Sequence, residues 1–183
     1  ELIERGVAPR HGDNGLCLGA LKVVLSEARG AMHPAPEELE ERIIQAHRHG
    51  YQLAIHAVEE STVSAAVAAL ERALGHVPKN NHRHRIEHCS ECSDTLLDRL
   101  GEMRVLVVTQ PLFIYHSGDR YLATVSEERQ SLLYRTSSFL KGGLKPAAGS
   151  DSPVVPMNPL LSMHAAVNRR TEKGKVFFSR ERI

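Results

Sequence analysis

The sequence has few cysteines and no long apolar run, and each absence argues against a class of protein. Its 183 residues include only Cys17, Cys89 and Cys92. Because this small, odd number of cysteines is poor material for a disulfide framework, we expect a reducing, cytoplasmic location. No apolar run approaches the roughly 18 residues of a membrane-spanning helix. The chain starts with glutamate and shows no signal-peptide pattern, so we expect it to be part of a longer protein.

The balance of charges and the absence of common binding motifs argue against further classes of protein. The 23 basic and 22 acidic residues nearly cancel, so we expect neither nucleic acid nor an anionic membrane surface as a partner. The sequence contains no G-x-G-x-x-G, P-loop or G-x-S-x-G motif, which argues against a dinucleotide, a cradled phosphate and a serine nucleophile. The partner that we expect is a small-molecule substrate.

Apolar runs typical of strands alternate five times with segments of helical periodicity. This order predicts parallel strands joined by helical crossovers in one domain over residues 1–183, with 1–18 leading into the first strand. Five units are too few to close a barrel of eight. Residues 110–126 are predicted to be a long connection. The predicted strands are 20–25, 51–58, 84–89, 105–109 and 146–150, and the helices are 36–49, 61–74, 93–100, 127–140 and 158–169.

Polar side chains end three of these strands. His56, His88 and Asp151 come at or just after a carboxyl end, where side chains of parallel strands converge on one pocket. Two imidazoles on neighbouring strands favour a divalent transition metal, and an aspartate can bind metal or act as a general base. Alternatively, His56 is an ordinary core histidine and Asp151 a turn former. Lys22 lies within the first strand, where burial requires a carboxylate partner or, after carboxylation, a metal.

A second set of metal-binding residue types lies around the third strand. His84, His88, Cys89 and Cys92 offer the ligand types of a structural zinc site. Adjacent residues of a strand point to opposite faces, so His88 and Cys89 are poorly placed to share one ion. The structural zinc site is therefore the weaker alternative.

At this point the chain resembles the amidohydrolase superfamily, in particular metal-dependent amidohydrolases of the amidohydrolase-3, YtcJ-like type. The resemblance runs from about Gly19 to Arg170. Its most specific segments are Leu-Ala-Ile-His-Ala-Val at 53–58, His-Arg-Ile-Glu-His-Cys at 84–89, Val-Thr-Gln-Pro at 108–111 and Gly-Ser-Asp-Ser-Pro-Val at 149–154. The resemblance implies an α/β fold, namely strands four to eight of a (β/α)8 TIM barrel.

The resemblance also implies a site. His56 and His88 would be metal ligands, Asp151 both a ligand and the proton shuttle, and Lys22 a carboxylated ligand bridging two metals. One or two divalent ions, zinc above all, would activate a water that attacks an amide, urea, cyclic amide or amidine carbon. His88 or the metal would polarise the substrate oxygen. Tyr115 and Arg120, in the connection over 110–126, are candidate substrate contacts.

The sequence departs from the family pattern in three places. The His-x-His of strand one has no counterpart before Lys22. The Gly-Asp that often follows strand five is Glu59-Glu60, and the Asp-Gly often found after strand four is Ser26-Glu27. We therefore keep a second hypothesis, a catalytically incomplete or non-catalytic domain that forms a homo-oligomer or pairs with a missing amino-terminal half, because an open half-barrel leaves strand edges uncovered.

Overall fold

A computed structural model describes residues 3–27 and 30–183 and shows five parallel strands joined in sequence order by helices. This architecture confirms the predicted α/β fold of a partial (β/α)8 barrel. None of the helices in the described ranges is long and apolar enough to cross a bilayer. The strands are β1 (Leu21–Val24), β2 (Leu53–Ala57), β3 (Arg85–His88), β4 (Leu106–Thr109) and β5 (Ala147–Ala148). The helices are α1 (Pro36–Arg48), α2 (Glu60–His76), α3 (Asp94–Glu102), α4 (Leu112–Thr124), α5 (Glu127–Gln130), α6 (Thr136–Lys141) and α7 (Pro159–Asn168), followed by a 3-10 turn at Ser179–Glu181.

The sheet is covered on one face and open on the other. Ile55, Ile86 and Val107 are buried beneath the helices. On the opposite face, Val24 is 55% exposed and Leu106 37% exposed. In a closed barrel this second face would form the packed interior. The strands therefore present a barrel-interior surface of mixed apolar and polar residues, including the Arg85–Glu87 ion pair, that the described residues leave uncovered.

The predicted connection over 110–126 is wrong, because most of it forms helix α4. Ile114 is fully buried in a small second core with Leu133, Tyr134 and Phe177. Gly118 allows this packing, since a Cβ there would lie 2.6 Å from Cγ2 of Thr171. The partners of α4 come from distant parts of the chain, so no local pattern indicated the helix.

The single helix predicted over 127–140 is also wrong. The structure has two short helices, α5 and α6, separated by residues 131–135. Leu133 forms an antiparallel bridge with Glu91, and the N–H of Tyr134 donates to the carbonyl of Ser90. Tyr134 adopts a left-handed backbone with φ of 49°. Pairing with the loop after β3 thus replaces the helical hydrogen bonds at this point.

Candidate metal centre

The structure brings His56 and His88 together at the carboxyl end of the sheet. His56 lies on β2 and His88 is the last residue of the neighbouring strand β3. Their ring centroids are 4.4 Å apart, with the ring planes at 74°. His88 has φ of 73° and Cys89 has φ of 45°, a left-handed pair that ends the strand. Backbone strain of this kind is typical of functional sites.

Gln110 fixes the proton of the His88 ring. Nδ1 of His88 lies 2.8 Å from Oε1 of Gln110, and the Gln110 amide nitrogen donates to the carbonyl of Val108. Because the amide oxygen can only accept, Nδ1 carries the proton and Nε2 keeps its lone pair. A histidine held in this way is prepared to bind a metal through Nε2. Sequence reasoning missed Gln110, although it is the first polar residue beyond β4.

The surroundings of His56 keep its ring neutral. Burial lowers the pKa of His56 first, and the nearby His88 and Lys22 lower this pKa further. Asp151 and Glu59 act in the opposite direction and raise the pKa of His56. The net direction is downward, so the neutral imidazole, which is the metal-binding form, predominates near neutral pH.

Lys22 and Asp151 lie near His56 and His88, but the position of each differs in part from our expectation. Lys22 is exposed, so the expectation of a buried ammonium is wrong: it lies on the edge strand β1, on the open face, in register with Ala54. Asp151 follows β5 in an exposed turn with a left-handed φ of 56°. Both charges act on the pKa of His56, so both lie within electrostatic reach of its ring.

These side chains make only part of a metal site. Within residues 3–27 and 30–183, no group of three or more His, Cys, Asp and Glu side chains is arranged to hold an ion. The two imidazoles fit a divalent metal in chemistry, but a closed zinc site has four ligands and a catalytic one keeps three from protein. Further ligands are therefore needed to complete it.

Comparison with known proteins decides the family. The family model described as Amidohydrolase family matches residues 4–183. The chain belongs to the amidohydrolase family. Over 135 residues it is 27% identical to YtcJ of Bacillus subtilis, named as an amidohydrolase, covering 74% of this chain and 25% of YtcJ. Over 137 residues it is 30% identical to LONG AFTER FAR-RED 3 of Arabidopsis thaliana, covering 73% of this chain and 23% of that protein.

A solved structure shows what fraction of a relative's length this chain covers. The crystal structure of a metal-dependent hydrolase from Pyrococcus furiosus superimposes with a TM-score of 0.79 at 26% identity. The match covers 99% of this chain and 40% of the Pyrococcus chain. The chain thus spans about a quarter of the length of its curated relatives and two fifths of this structural one.

The structure places the two candidate substrate contacts of the amidohydrolase on α4. The ring of Tyr115 lies 5.2 Å from that of His116 and 6.3 Å from that of His164 on α7. The guanidinium of Arg120 lies 5.0 Å over the Tyr121 ring. Among the described residues, no hydrogen bond or ring contact joins either side chain to His56 or His88. Their role in substrate binding stays a prediction.

The alternative structural zinc site is not formed. His84 comes directly before β3, about 13 Å along the extended strand from His88 at its other end. Both of its ring nitrogens are in use: Nδ1 accepts from the N–H of Leu53, and Nε2 lies 2.9 Å from Nδ1 of His47. Cys89 and Cys92 are buried, and the neighbouring Cys92 thiol together with burial raises the pKa of the Cys89 thiol.

An ion pair that the sequence did not indicate supports the loop beside the candidate site. Arg129 of α5 donates to both carboxylate oxygens of Glu91, at 2.7 and 2.9 Å. Glu91, which is only 8% exposed, also accepts from the N–H of Glu60 at the start of α2. The carboxylate of Glu91 thereby joins the loop after β3 both to α5 and to the start of α2. Because the partners lie 38 positions apart, no sequence pattern pointed to this contact.

Proposed function

We propose that this chain supplies strands four to eight of a metal-dependent hydrolase of C–N bonds, with amides, ureas, cyclic amides or amidines as substrates. The observation that carries the proposal is the pair of adjacent imidazoles, His56 and His88, with Gln110 accepting a hydrogen bond from Nδ1 of the second. Membership of the amidohydrolase family and the likeness to a Pyrococcus metal-dependent hydrolase support the same reaction class.

The metal that we propose is a divalent ion, zinc above all, because imidazole ligands suit zinc well. His56 and His88 would hold it, with Asp151 as a third ligand and Lys22, after carboxylation, as a possible fourth. A bound divalent ion lowers the pKa of a water molecule and polarises a carbonyl group. Any further ligands of the metal would come from residues other than these four.

The protein side chains would then move the protons. Asp151 is exposed, so its carboxylate would be free to accept the proton of an attacking water and deliver it to the leaving nitrogen. His88, held by Gln110, would orient and polarise the substrate oxygen. The open face of the sheet around His56 would form one wall of the substrate pocket.

Cobalt(II) titration followed by visible absorption tests the metal centre directly. We expect the chain to bind cobalt through imidazole nitrogen, and we expect His56→Ala and His88→Ala each to weaken this binding at least tenfold. His116→Ala removes an exposed histidine of α4 and serves as the matched control. Equal binding by all four proteins would contradict the proposal.

Hydrolysis of an amide and cyclic-amide panel by the zinc-loaded chain, with Asp151→Asn for comparison, tests the chemistry.

A second candidate function is that of an incomplete barrel that associates with other residues before it acts. It is favoured by the exposed Val24 and Leu106 of the open face and by the lack of a three-ligand group among the described residues. We propose the missing amino-terminal half or a second copy of the chain as the partner. Light scattering measures the mass in solution, and a monomer that binds stoichiometric zinc and hydrolyses amides would rule this candidate out.

A further inference from the structure

A second pocket lies at the opposite end of the sheet from His56 and His88. It is formed by the segment before β1, the turn between α1 and β2, and the loop before β3, all of which meet at the amino ends of the strands. Its volume is about 360 Å³, which is large enough for a small ligand. Neither the family membership nor the proposed hydrolysis accounts for this pocket.

Three cationic side chains line the pocket, and no acidic side chain does so among the described residues. The cations are Arg10, Lys79 and Arg83. None of the three takes part in an ion pair within residues 3–27 and 30–183. Lys79 Nζ lies 4.0 Å from the position that a Cβ would occupy at Gly50, so the ammonium sits against the backbone of the turn. Uncompensated positive charge in a concave site concentrates anions.

The neutral groups of the pocket fit the same ligand. Asn81 lines the pocket and adds an amide N–H donor. His82, at its inner wall, is not available as a ligand, because Nδ1 accepts from the N–H of His84 and Nε2 donates to the carbonyl of Met103. In the loop before β1, the carboxylate of Asp13 is occupied by the N–H groups of Gly15 and Leu16.

We propose that this amino-end pocket binds a small polyvalent anion of the phosphate class. Arg10 and Arg83 can each form paired hydrogen bonds with phosphate oxygens, and Lys79 adds a point charge. Three cations match an anion of several negative charges better than a monovalent one. The site is separate from the candidate metal centre, since the two lie at opposite ends of the strands.

Calorimetric titration of the 183-residue chain with inorganic pyrophosphate, at constant ionic strength, tests this proposal. We expect one pyrophosphate per chain. When the titration is repeated at higher salt concentrations, the affinity should fall. The double substitution Lys79→Gln with Arg83→Gln should weaken binding at least tenfold. Lys141→Gln makes the same kind of charge change on α6, away from the pocket, and should leave binding unchanged.

A substitution in the lining and an NMR measurement extend the test. Asn81→Asp keeps the side-chain size and places a carboxylate in the lining, so we expect it to weaken pyrophosphate binding as well. In an amide NMR spectrum, added pyrophosphate should shift the signals of Gly19 and Gly50, which line the pocket, and leave Gly149 unchanged. Absent binding, or binding that neither the double substitution nor Asn81→Asp weakens, would overturn the proposal.

Discussion

Each end of the sheet carries a group of histidines, and the two groups differ in the partners of their ring nitrogens. At the amino end, His47, His82 and His84 are buried and linked in a chain. Backbone N–H groups donate to Nδ1 of His82 and of His84. The other nitrogens then carry protons, so His84 donates to His47, which donates to the carbonyl of Val77. Every nitrogen is used, and all three rings are neutral.

At the carboxyl end, nitrogen lone pairs remain free. Nδ1 of His88 donates to Gln110, which leaves Nε2 without a partner of this kind. The ring of His56 makes no hydrogen bond within residues 3–27 and 30–183. Burial therefore does not separate structural histidines from the candidate metal ligands in this molecule, since His84 and His88 are both buried. The difference lies in whether backbone groups already occupy the ring nitrogens.

Replacing His84 should have the largest effect on stability. His84→Ala leaves the N–H of Leu53 and Nδ1 of His47 without partners in a buried place and opens a cavity, so we expect a loss of about 3 kcal/mol. His88→Ala removes one side-chain contact at the open end and should cost about 1 kcal/mol. Urea unfolding at pH 7 with a chelator present measures both. Equal losses would break the distinction between the two ends.

Acid should destabilise the protein through the amino-end group. Burial, followed by the nearby His82, His47 and Lys79, lowers the pKa of His84 to about 3. The folded state then binds fewer protons than the unfolded state, so the contribution of His84 is complete above about pH 6.5 and is lost as the pH falls towards 3. Linkage predicts a loss of about 2 kcal/mol between pH 7 and pH 5.

The matched variant isolates this pH dependence. In His84→Ala, the unfolding free energy should decrease less between pH 7 and pH 5, because the titrating ring is absent. His82, whose pKa burial also lowers, would still contribute part of the slope. Urea unfolding at several pH values gives both slopes. A slope unchanged by the substitution would show that the neutral His84 ring does not contribute to the pH dependence.

The sequence predicted the fold and part of the site, because strand periodicity and strand-end positions are local signals. The five strands were located to within two residues at each end, and His56 and His88 were correctly placed side by side. The last helix was predicted to begin at residue 158, and Asn158 caps it, since its side chain accepts from the N–H of Leu161. All of these features depend on short stretches of sequence.

The features that escaped prediction depend on contacts between distant residues. Helix α4 depends on a core shared with Phe177, and the break between α5 and α6 depends on pairing with Glu91. Lys22 was expected to be buried because its neighbours are apolar, but the face of β1 on which it lies is uncovered. Gln110 could have been found by applying the strand-end argument to β4 as well.

Gln110 offers a way to change the carboxyl end without removing a ligand. Gln110→Leu removes the acceptor that holds the Nδ1 proton of His88, so we expect zinc affinity to decrease about tenfold or more. Gln110→Glu keeps an acceptor for the same proton and should retain affinity. Competition with a chromophoric chelator measures zinc binding in both variants. If leucine and glutamate gave the same affinity, the tautomer would have no part in metal binding.

The smallest expected effect tests the alternative zinc site at β3. Cys92 is buried and its thiol lies 3.6 Å from the carbonyl of Ser93, so Cys92→Ala should cost only about 1 kcal/mol of stability. Zinc content should stay unchanged, because we place the metal on His56 and His88. His88→Ala, measured by the same metal analysis, should lose zinc. If His88→Ala retained zinc and Cys92→Ala lost it, the metal would be bound by the buried thiols and not at the open strand ends. His56 and His88 would then lack the metal-binding function that distinguishes them from the histidines of the amino end.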